Sequence, residues 1–454
     1  MLFVTTAIDA IARESVILAS IGFLAGGLDD LALDAVYWSG RVGRRPDPQI
    51  DDLAPGLRGT LAIFVPAWDE AAVIAPMLAT MLDRVDDDDC RVYVGTYAND
   101  PATIDAAATI AERDPRVRIV INARAGPTTK ADCLNCLWSA LLREEKAEDW
   151  RALAVIFHDA EDVVHRDELR VHRAMLVDHD VVQLPVRPLV DPRSPLVAGH
   201  YIDEFAEAHE FRLVARGMLG APLPLAGVGC AIGRDLLDRI AARRGGEPFD
   251  ADSLTEDYEL GLMSATLGGR QVFARVRDAA GELVAVAEYF PSTIQTAVRQ
   301  KARWMVGIAL DGWDRIGWGR AGDWRDHWMR MRDRRAPLAM LLLFIAYVAL
   351  VAWGASLGLH ALTHTPMPAL GATMATLLKI NGALLVWRLA MRAWFTGRAY
   401  GPWQAALSLP RALVGNYIAL LAARRALWRY IGALRGRRPA WDKTAHRFPD
   451  VAKT

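Results

Sequence analysis

The stretch Leu153-Ala-Val-Ile-Phe-His-Asp-Ala-Glu-Asp162 decides how this chain is read. Five apolar residues too short for a helix run straight into an acidic cluster, as a buried strand does where it leaves the edge of a parallel sheet. Carboxylates one residue apart at such an edge, Asp159 and Glu161 here, can jointly hold a hard divalent cation. An acidic surface turn explains the charge but not its position after Val155-Ile-Phe157.

Outward from this stretch the pattern repeats. Leu61–Val65, Arg91–Thr96, Val117–Ile121 and Val181–Val186 read as further strands. Between them Glu70–Arg84, Ile104–Arg113, Lys130–Glu145 and Leu169–Val177 carry apolar residues at helical spacing. Strands interleaved with helices from Leu57 to about Gly269 predict an α/β fold, a mostly parallel sheet with helices on both faces. Other chemistry-bearing residues fall beyond strand ends or in loops. Pro66 and Glu70 follow the first strand, Asn99-Asp100 the second, and Lys130 opens a helix. Thr255-Glu-Asp257 precedes another helix, with Thr255 expected to cap it, and Gln300-Lys-Ala-Arg-Trp304 closes the set. Each also has a plain structural reading: Asp69 or Glu70 favouring a helix start, Asp100 forming a turn before Pro101, and Lys130 a solvated helix-start lysine.

Composition points to a membrane. A net charge of −1 hides an asymmetry, since the last part is rich in Arg and almost free of Asp and Glu. Arginine at the edges of apolar segments suits an anionic lipid surface, and the neutral to acidic remainder excludes a nucleic-acid face. Ile8–Trp38 is long enough to span, although Arg13, Glu14, Asp29 and Asp30 interrupt it, and no cleavable signal pattern is seen. A basic linker, Arg41–Pro48, follows. Pro337–Leu359 and Gly371–Trp394 are two further runs of spanning length, preceded by tryptophans interleaved with arginines. Pro402–Tyr430 carries Arg411 mid-run, so it is expected to lie along the surface or dip and return. The expected division is therefore an N-terminal span at 1–40, the α/β domain at 41–306, interfacial helices at 307–336, two spans at 337–398, and an interfacial or re-entrant helix with tail at 399–454. The four cysteines, including the pair Cys133 and Cys136, are expected as small, mostly buried thiols.

In that order the acidic and cationic motifs resemble the D, DxD, TED and QxxRW signature of membrane-bound family 2 glycosyltransferases, which include cellulose and hyaluronan synthases. Gly95-Thr-Tyr-Ala-Asn-Asp100, Gly126-Pro-Thr-Thr-Lys-Ala-Asp132, His158-Asp-Ala-Glu-Asp-Val-Val-His165 and Trp441-Asp-Lys-Thr-Ala-His446 are similar to the bacteriophage adsorption protein B type. The resemblance implies a GT-A fold, a UDP-sugar donor, and Mg²⁺ or Mn²⁺ held by Asp159 and Glu161, with Asp162 a substitute ligand. It implies Pro66, Glu70, Asp100, Lys130 and Asp159 at the nucleotide-sugar and Asp257 as catalytic base. It places Glu256, Gln300, Arg303 and Trp304 at the acceptor and diphosphate. It further implies a bacterial inner-membrane enzyme with a cytoplasmic catalytic domain, a glycan or lipid-linked acceptor, and an outer-membrane or periplasmic export partner. Longer members carry a cyclic-di-GMP-responsive domain; with the chain ending at Thr454, that control is expected to be absent or to reside on a partner. Transfer to a lipid without polymerisation, and a non-catalytic receptor or scaffold, are the competing expectations.

Overall fold

The computed structural model describes residues 2–42, 46–85, 87, 89–436 and 447–449. Part of the basic linker and the Trp441–His446 motif therefore lie outside the described residues. The chain opens with α1 (Leu2–Arg41), and the sheet begins at β1 (Leu61–Pro66). Next come α2 (Ile74–Arg84), β2 (Cys90–Tyr97), α3 (Pro101–Ala111), β3 (Val117–Asn122), α4 (Lys130–Glu148), β4 (Ala154–Phe157) and α5 (Glu168–Met175). β5 (Val181–Gln183), β6 (Val186–Pro188), α6 (Gly199–Glu207), α7 (Leu213–Leu219), β7 (Cys230–Gly233) and α8 (Arg234–Arg243) follow. α9 (Glu256–Thr266), β8 (Gln271–Phe273), β9 (Val286–Glu288) and α10 (Ile294–Trp304) complete the α/β block.

Seven strands form one sheet in the order β3-β2-β1-β4-β7-β5-β8, with β6 and β9 as a separate parallel pair. β3, β2, β1 and β4 are parallel neighbours, and β7 alone runs against β4 and β5. All six residues of β1 are buried, the continuous burial expected of a strand covered on both faces. Ile63 and Val65 enter the core with Met77, Leu78 and Leu169, whereas Ala62 and Phe64 point to the opposite layer with Leu137, Trp138 and Ile232. Because β1, β2 and β4 run the same way, Glu70, Asp100 and Asp159 emerge from one edge.

Two expected boundaries move. The strand expected over Val181–Val186 splits into β5 and β6, since Pro185 has no amide to donate to a ladder. The helix expected from Glu70 starts at Ile74, because residues 70–73 form a turn in which the Glu70 carbonyl accepts from the Val73 and Ile74 amides. Three of the four cysteines are buried and none is disulfide-bonded.

After α10 the helix winds into a π-helical turn, Met305–Leu310, so the division expected at 306/307 falls inside it. α11 (Gly312–Ile316) and α12 (Trp324–Arg334) lead to α13 (Ala336–Thr363), α14 (Ala372–Tyr400) and α15 (Pro402–Leu434). By length and composition α1, α13, α14 and α15 could each cross a bilayer. The charges that interrupt α1 are matched rather than stranded. Asp30 pairs with Arg332 at 2.8 Å and with Arg335 at 2.6 Å, Asp29 pairs with both arginines, and Asp34 pairs with Arg388 at 3.0 Å. At the other end Asp9 accepts from Ser356 at 2.5 Å and lies 3.1 Å from His360. Asp9 and Asp29 are 20 residues apart, about 30 Å of helix, the thickness of a hydrocarbon core.

α15 is one unbroken helix with Pro410 inside it, which leaves no hairpin for a segment that dips and returns. One face, with Ile418, Ala422 and Ala426, packs on α6, α10 and the π-helical turn, while Trp403, Leu413, Tyr417 and Trp428 are exposed. Arg411 is buried on the packed face, 3.2 Å from buried Asp203 of α6, and also donates to the Pro195 carbonyl. Arg411→Ala should cost about 3–5 kcal/mol by stranding that carboxylate. The double variant Asp203→Asn with Arg411→Met should lose less, as measured by unfolding of the detergent-solubilised protein.

Candidate active site

A cleft of about 760 Å³ runs from the carboxyl edge of the sheet to the start of α13. Its lining brings together Pro66, Glu70, Lys130, Asp159, Glu161, Glu256, Asp257, Gln300, Arg303 and Trp304, residues scattered over the sequence. Asp100 is not among the lining residues. Its carboxylate accepts from the Asp69 amide at 2.6 Å and the Thr103 amide at 3.3 Å, fixing the turn that carries Glu70 and capping α3.

Lys130 stands at the first turn of α4, whose end is capped by the Thr129 hydroxyl. Its Nζ lies 2.5 Å from Asp159 and 3.8 Å from Glu256. Burial would lower its pKa, but Asp159, Glu256 and Asp257 hold it well above the ordinary value, so it is a fixed cation. The Asp159 turn is pinned from beneath. Asp162 accepts from the Asp159 amide at 3.0 Å and from His158 Nδ1 at 2.9 Å, while His158 Nε2 lies 2.8 Å from Glu168. Burial alone would depress His158, yet the Glu168 and Asp162 carboxylates outweigh it and raise its pKa to about 10. Asp162 is thus a buried bracket for the turn and does not line the cleft, which corrects its expected part as a substitute ligand.

Glu256 and Asp257 begin α9. Burial, the largest cause, pushes Glu256 up to about 7, with the Asp257 charge adding and Lys130 opposing; burial likewise raises Asp257. Thr255 occupies the cap position, but its hydroxyl makes no capping bond. The Tyr258 amide, which such a cap would satisfy, donates to the Asp257 carboxylate at 2.7 Å, and the Thr255 side chain is pressed against Gly307 of the π-helical turn. On α10, Gln300 Oε1 and Arg303 Nε are buried without a hydrogen-bond partner among the described residues. Trp304 meets Tyr201 edge-on at 6.2 Å.

The donor set suits a divalent cation only in part. Asp159 and Glu161 supply hard oxygens, but among the described residues no group of three or more His, Cys, Asp or Glu is arranged to hold a metal. Such a site fits a cation whose remaining ligands come from phosphate and water, as is usual for Mg²⁺.

Sequence reasoning missed several residues. Lys301, inside the Gln300–Trp304 motif, pairs with Glu204 of α6 at 2.5 Å and so anchors α10. Arg216 and Asp333 line the end of the cleft nearest α13 without belonging to any expected site motif, beside Tyr258, which directly follows the Thr255–Asp257 motif. Gly227, by contrast, already stands out in the sequence motif Gly227-Val-Gly-Cys230; with φ of +78° it lets the chain pass beside Asp257.

Residues 58–307 match the family model described as glycosyltransferase like family 2. The chain belongs to this family. It is similar to bacteriophage adsorption protein B of Escherichia coli strain K12, and equally to bacteriophage N4 adsorption protein B of Escherichia coli O157:H7. Identity to each is 35% over 465 aligned positions, covering 96% of this chain and 62% of the relative. The chain therefore spans about 62% of the length of these curated relatives. Among solved structures, a mannosyltransferase from Pyrobaculum calidifontis, in complex with GDP-Man and Mn²⁺, superposes with a TM-score of 0.53 at 20% identity, over 93% of this chain and 99% of that one. The fold is GT-A, with long apolar helices appended, and the chain is a family 2 glycosyltransferase.

A Cβ on Gly227 would sit 2.8 Å from Asp257 Oδ2 in a left-handed backbone. Gly227→Ala should therefore destabilise the fold by about 1–2 kcal/mol, and it should cut transfer by more than that loss explains, read from unfolding and initial rates together.

Proposed function

We propose that this enzyme transfers a sugar from a nucleotide-diphosphate sugar, a UDP-sugar by resemblance, to a growing surface polysaccharide, with inversion at the anomeric carbon. The observation that carries the proposal is the convergence of Lys130, Asp159, Glu161, Glu256, Asp257, Gln300, Arg303 and Trp304 on one cleft that ends at the apolar helices. At the sheet end Glu70, Asp159, Glu161, Glu256 and Asp257 stand with two cations, Lys130 and Arg303. An acid-rich pocket that must receive a diphosphate needs further positive charge.

Pro66, Glu70 and the turn braced by Asp100 flank the nucleoside. Lys130 and Arg303 face the diphosphate, and Asp159 and Glu161 would hold Mg²⁺ or Mn²⁺. When bound, that ion neutralises charge on the departing nucleotide. Asp257 accepts the proton of the acceptor hydroxyl as its oxygen attacks the anomeric carbon. Burial favours this by raising the basicity of Asp257. Trp304 offers a flat apolar face to the acceptor ring, Gln300 a hydrogen bond to it, and Glu256 keeps Lys130 in place.

Asp257→Asn should retain UDP binding by calorimetry while turnover falls on the order of 10²–10⁴-fold. In the wild type, turnover should fall with decreasing pH at a higher pH than an exposed aspartate would give, because burial raises the pKa of Asp257 and the base must be unprotonated to accept the acceptor's proton. EDTA or Asp159→Ala should weaken UDP binding; indifference to both would remove the metal from the reading.

The location that follows is the bacterial inner membrane, with the catalytic block in the cytoplasm where nucleotide-sugars are made, and with an export partner beyond it. α1 and α14 run parallel and α13 opposes them, consistent with Met1 and residues 360–370 outside. α15 packs on α6 and α10 of the catalytic block as well as on α14, which supports a position at the inner surface with its exposed tryptophans toward lipid. In a variant lacking native cysteines, an impermeant maleimide should label Leu362→Cys from outside and leave Gly436→Cys unlabelled. External labelling at 436 would mean that α15 crosses.

A further inference from the structure

Past Asp257 the cleft changes character. Tyr258, the next residue in α9, donates its hydroxyl to Asp333 at 3.0 Å. Arg216 Nη1 reaches both oxygens of the same carboxylate at 2.9 Å, and Arg216 is only 4% exposed. Its Nη2 has no hydrogen-bond partner among the described residues, an arrangement native interiors rarely tolerate unless something else supplies the partner. The remaining arginines lining this end are already matched: Arg332 and Arg335 by Asp29 and Asp30, and Arg212 by Glu207 at 2.7 Å. This end is charge-balanced, in contrast to the acid-rich sheet end, and beyond it lie Ala336, Ala339 and Met340.

We infer that Arg216, Asp333 and Tyr258 form a second subsite, which takes an uncharged, hydroxyl-bearing sugar of the acceptor. The inference rests on the proposed reading of this cleft as a glycosyl-transfer site. Asp257 lines the same cleft next to Glu256, which lies 3.8 Å from Lys130, and its other neighbour in α9, Tyr258, reaches Asp333. An acceptor hydroxyl presented to Asp257 on the side away from Lys130 therefore brings its sugar against Tyr258 and Arg216. A phosphate would require a guanidinium free to pair with it, and each one here is held by a carboxylate. A sugar hydroxyl both donates and accepts, so it can take the Nη2 proton of Arg216 while giving its own to Asp333. The small side chains of Ala336 and Ala339 leave room for the apolar C–H faces of a ring.

The test uses the full chain in detergent with Mn²⁺ and, in turn, UDP-N-acetylglucosamine, UDP-glucose and GDP-mannose as donors. The acceptors are short neutral oligosaccharides (β-linked glucose and N-acetylglucosamine) on one arm and a polyprenyl phosphate on the other. Arg216→Lys and Asp333→Asn should raise the KM for the oligosaccharide roughly tenfold while the Kd for UDP stays within about twofold. Tyr258→Phe removes a single hydroxyl and keeps the experiment decisive if the buried-pair variants fail to fold; its acceptor KM should rise roughly fivefold. An unchanged acceptor KM in the folded variants overturns the subsite. So does a UDP affinity that falls in step with transfer, or wild-type transfer that prefers the polyprenyl phosphate. If the wild type binds none of the nucleotides, the donor reading itself falls, and calorimetry shows this before any acceptor is added.

Discussion

The site is organised around one cation. Lys130 draws together carboxylates from separate parts of the chain, Asp159 after β4 and Glu256 at the start of α9. Buried without it, those groups would repel one another or take up protons. The cation is itself placed by local rules, since the Thr129 cap starts α4 at the residue that puts Lys130 in its first turn. What looks like a catalytic constellation is therefore also the electrostatic solution to closing a helical layer over an acidic sheet edge.

The sheet and the ends of its strands were legible because burial on both faces writes itself as uninterrupted apolar runs. Asp159 and Glu161 follow β4 as that logic expects, and both line the cleft. Asp162 was not, because a short acidic run does not say which carboxylate turns inward; only the buried His158 and Glu168 decide it. Thr255 misled in a similar way. A threonine before a helix favours capping, but here the Asp257 carboxylate takes the Tyr258 amide and Thr255 packs on Gly307. The split of Val181–Val186 was written in Pro185 and could have been read.

Long-range pairing was the part that could not be read. Asp29 and Asp30 looked like flaws in a spanning segment, yet their partners lie about three hundred residues away in α12 and just before α13. Arg411 argued against a crossing by α15, but its partner could not be read from the sequence: it is Asp203, on a helix of the α/β block. Likewise Arg216, Tyr258 and Asp333 come from three separate elements and share no spacing that sequence patterns register.

The two polar clasps on α1, Asp9 with Ser356 and His360 and Asp29 with Arg332 and Arg335, work as a ruler. Their spacing of about 30 Å sets the hydrocarbon thickness at which both ends are at ease. The lower clasp uses Arg332 and Arg335, which also line the cleft. With α1 and α13 crossing as proposed, a bilayer that is too thick or too thin would tilt α1 against α13 or pull on those arginines, so lipid chain length would bear mechanically on the mouth of the cleft. Hydrophobic mismatch, usually a matter of sorting proteins among membranes, would in this architecture become a property of the cleft.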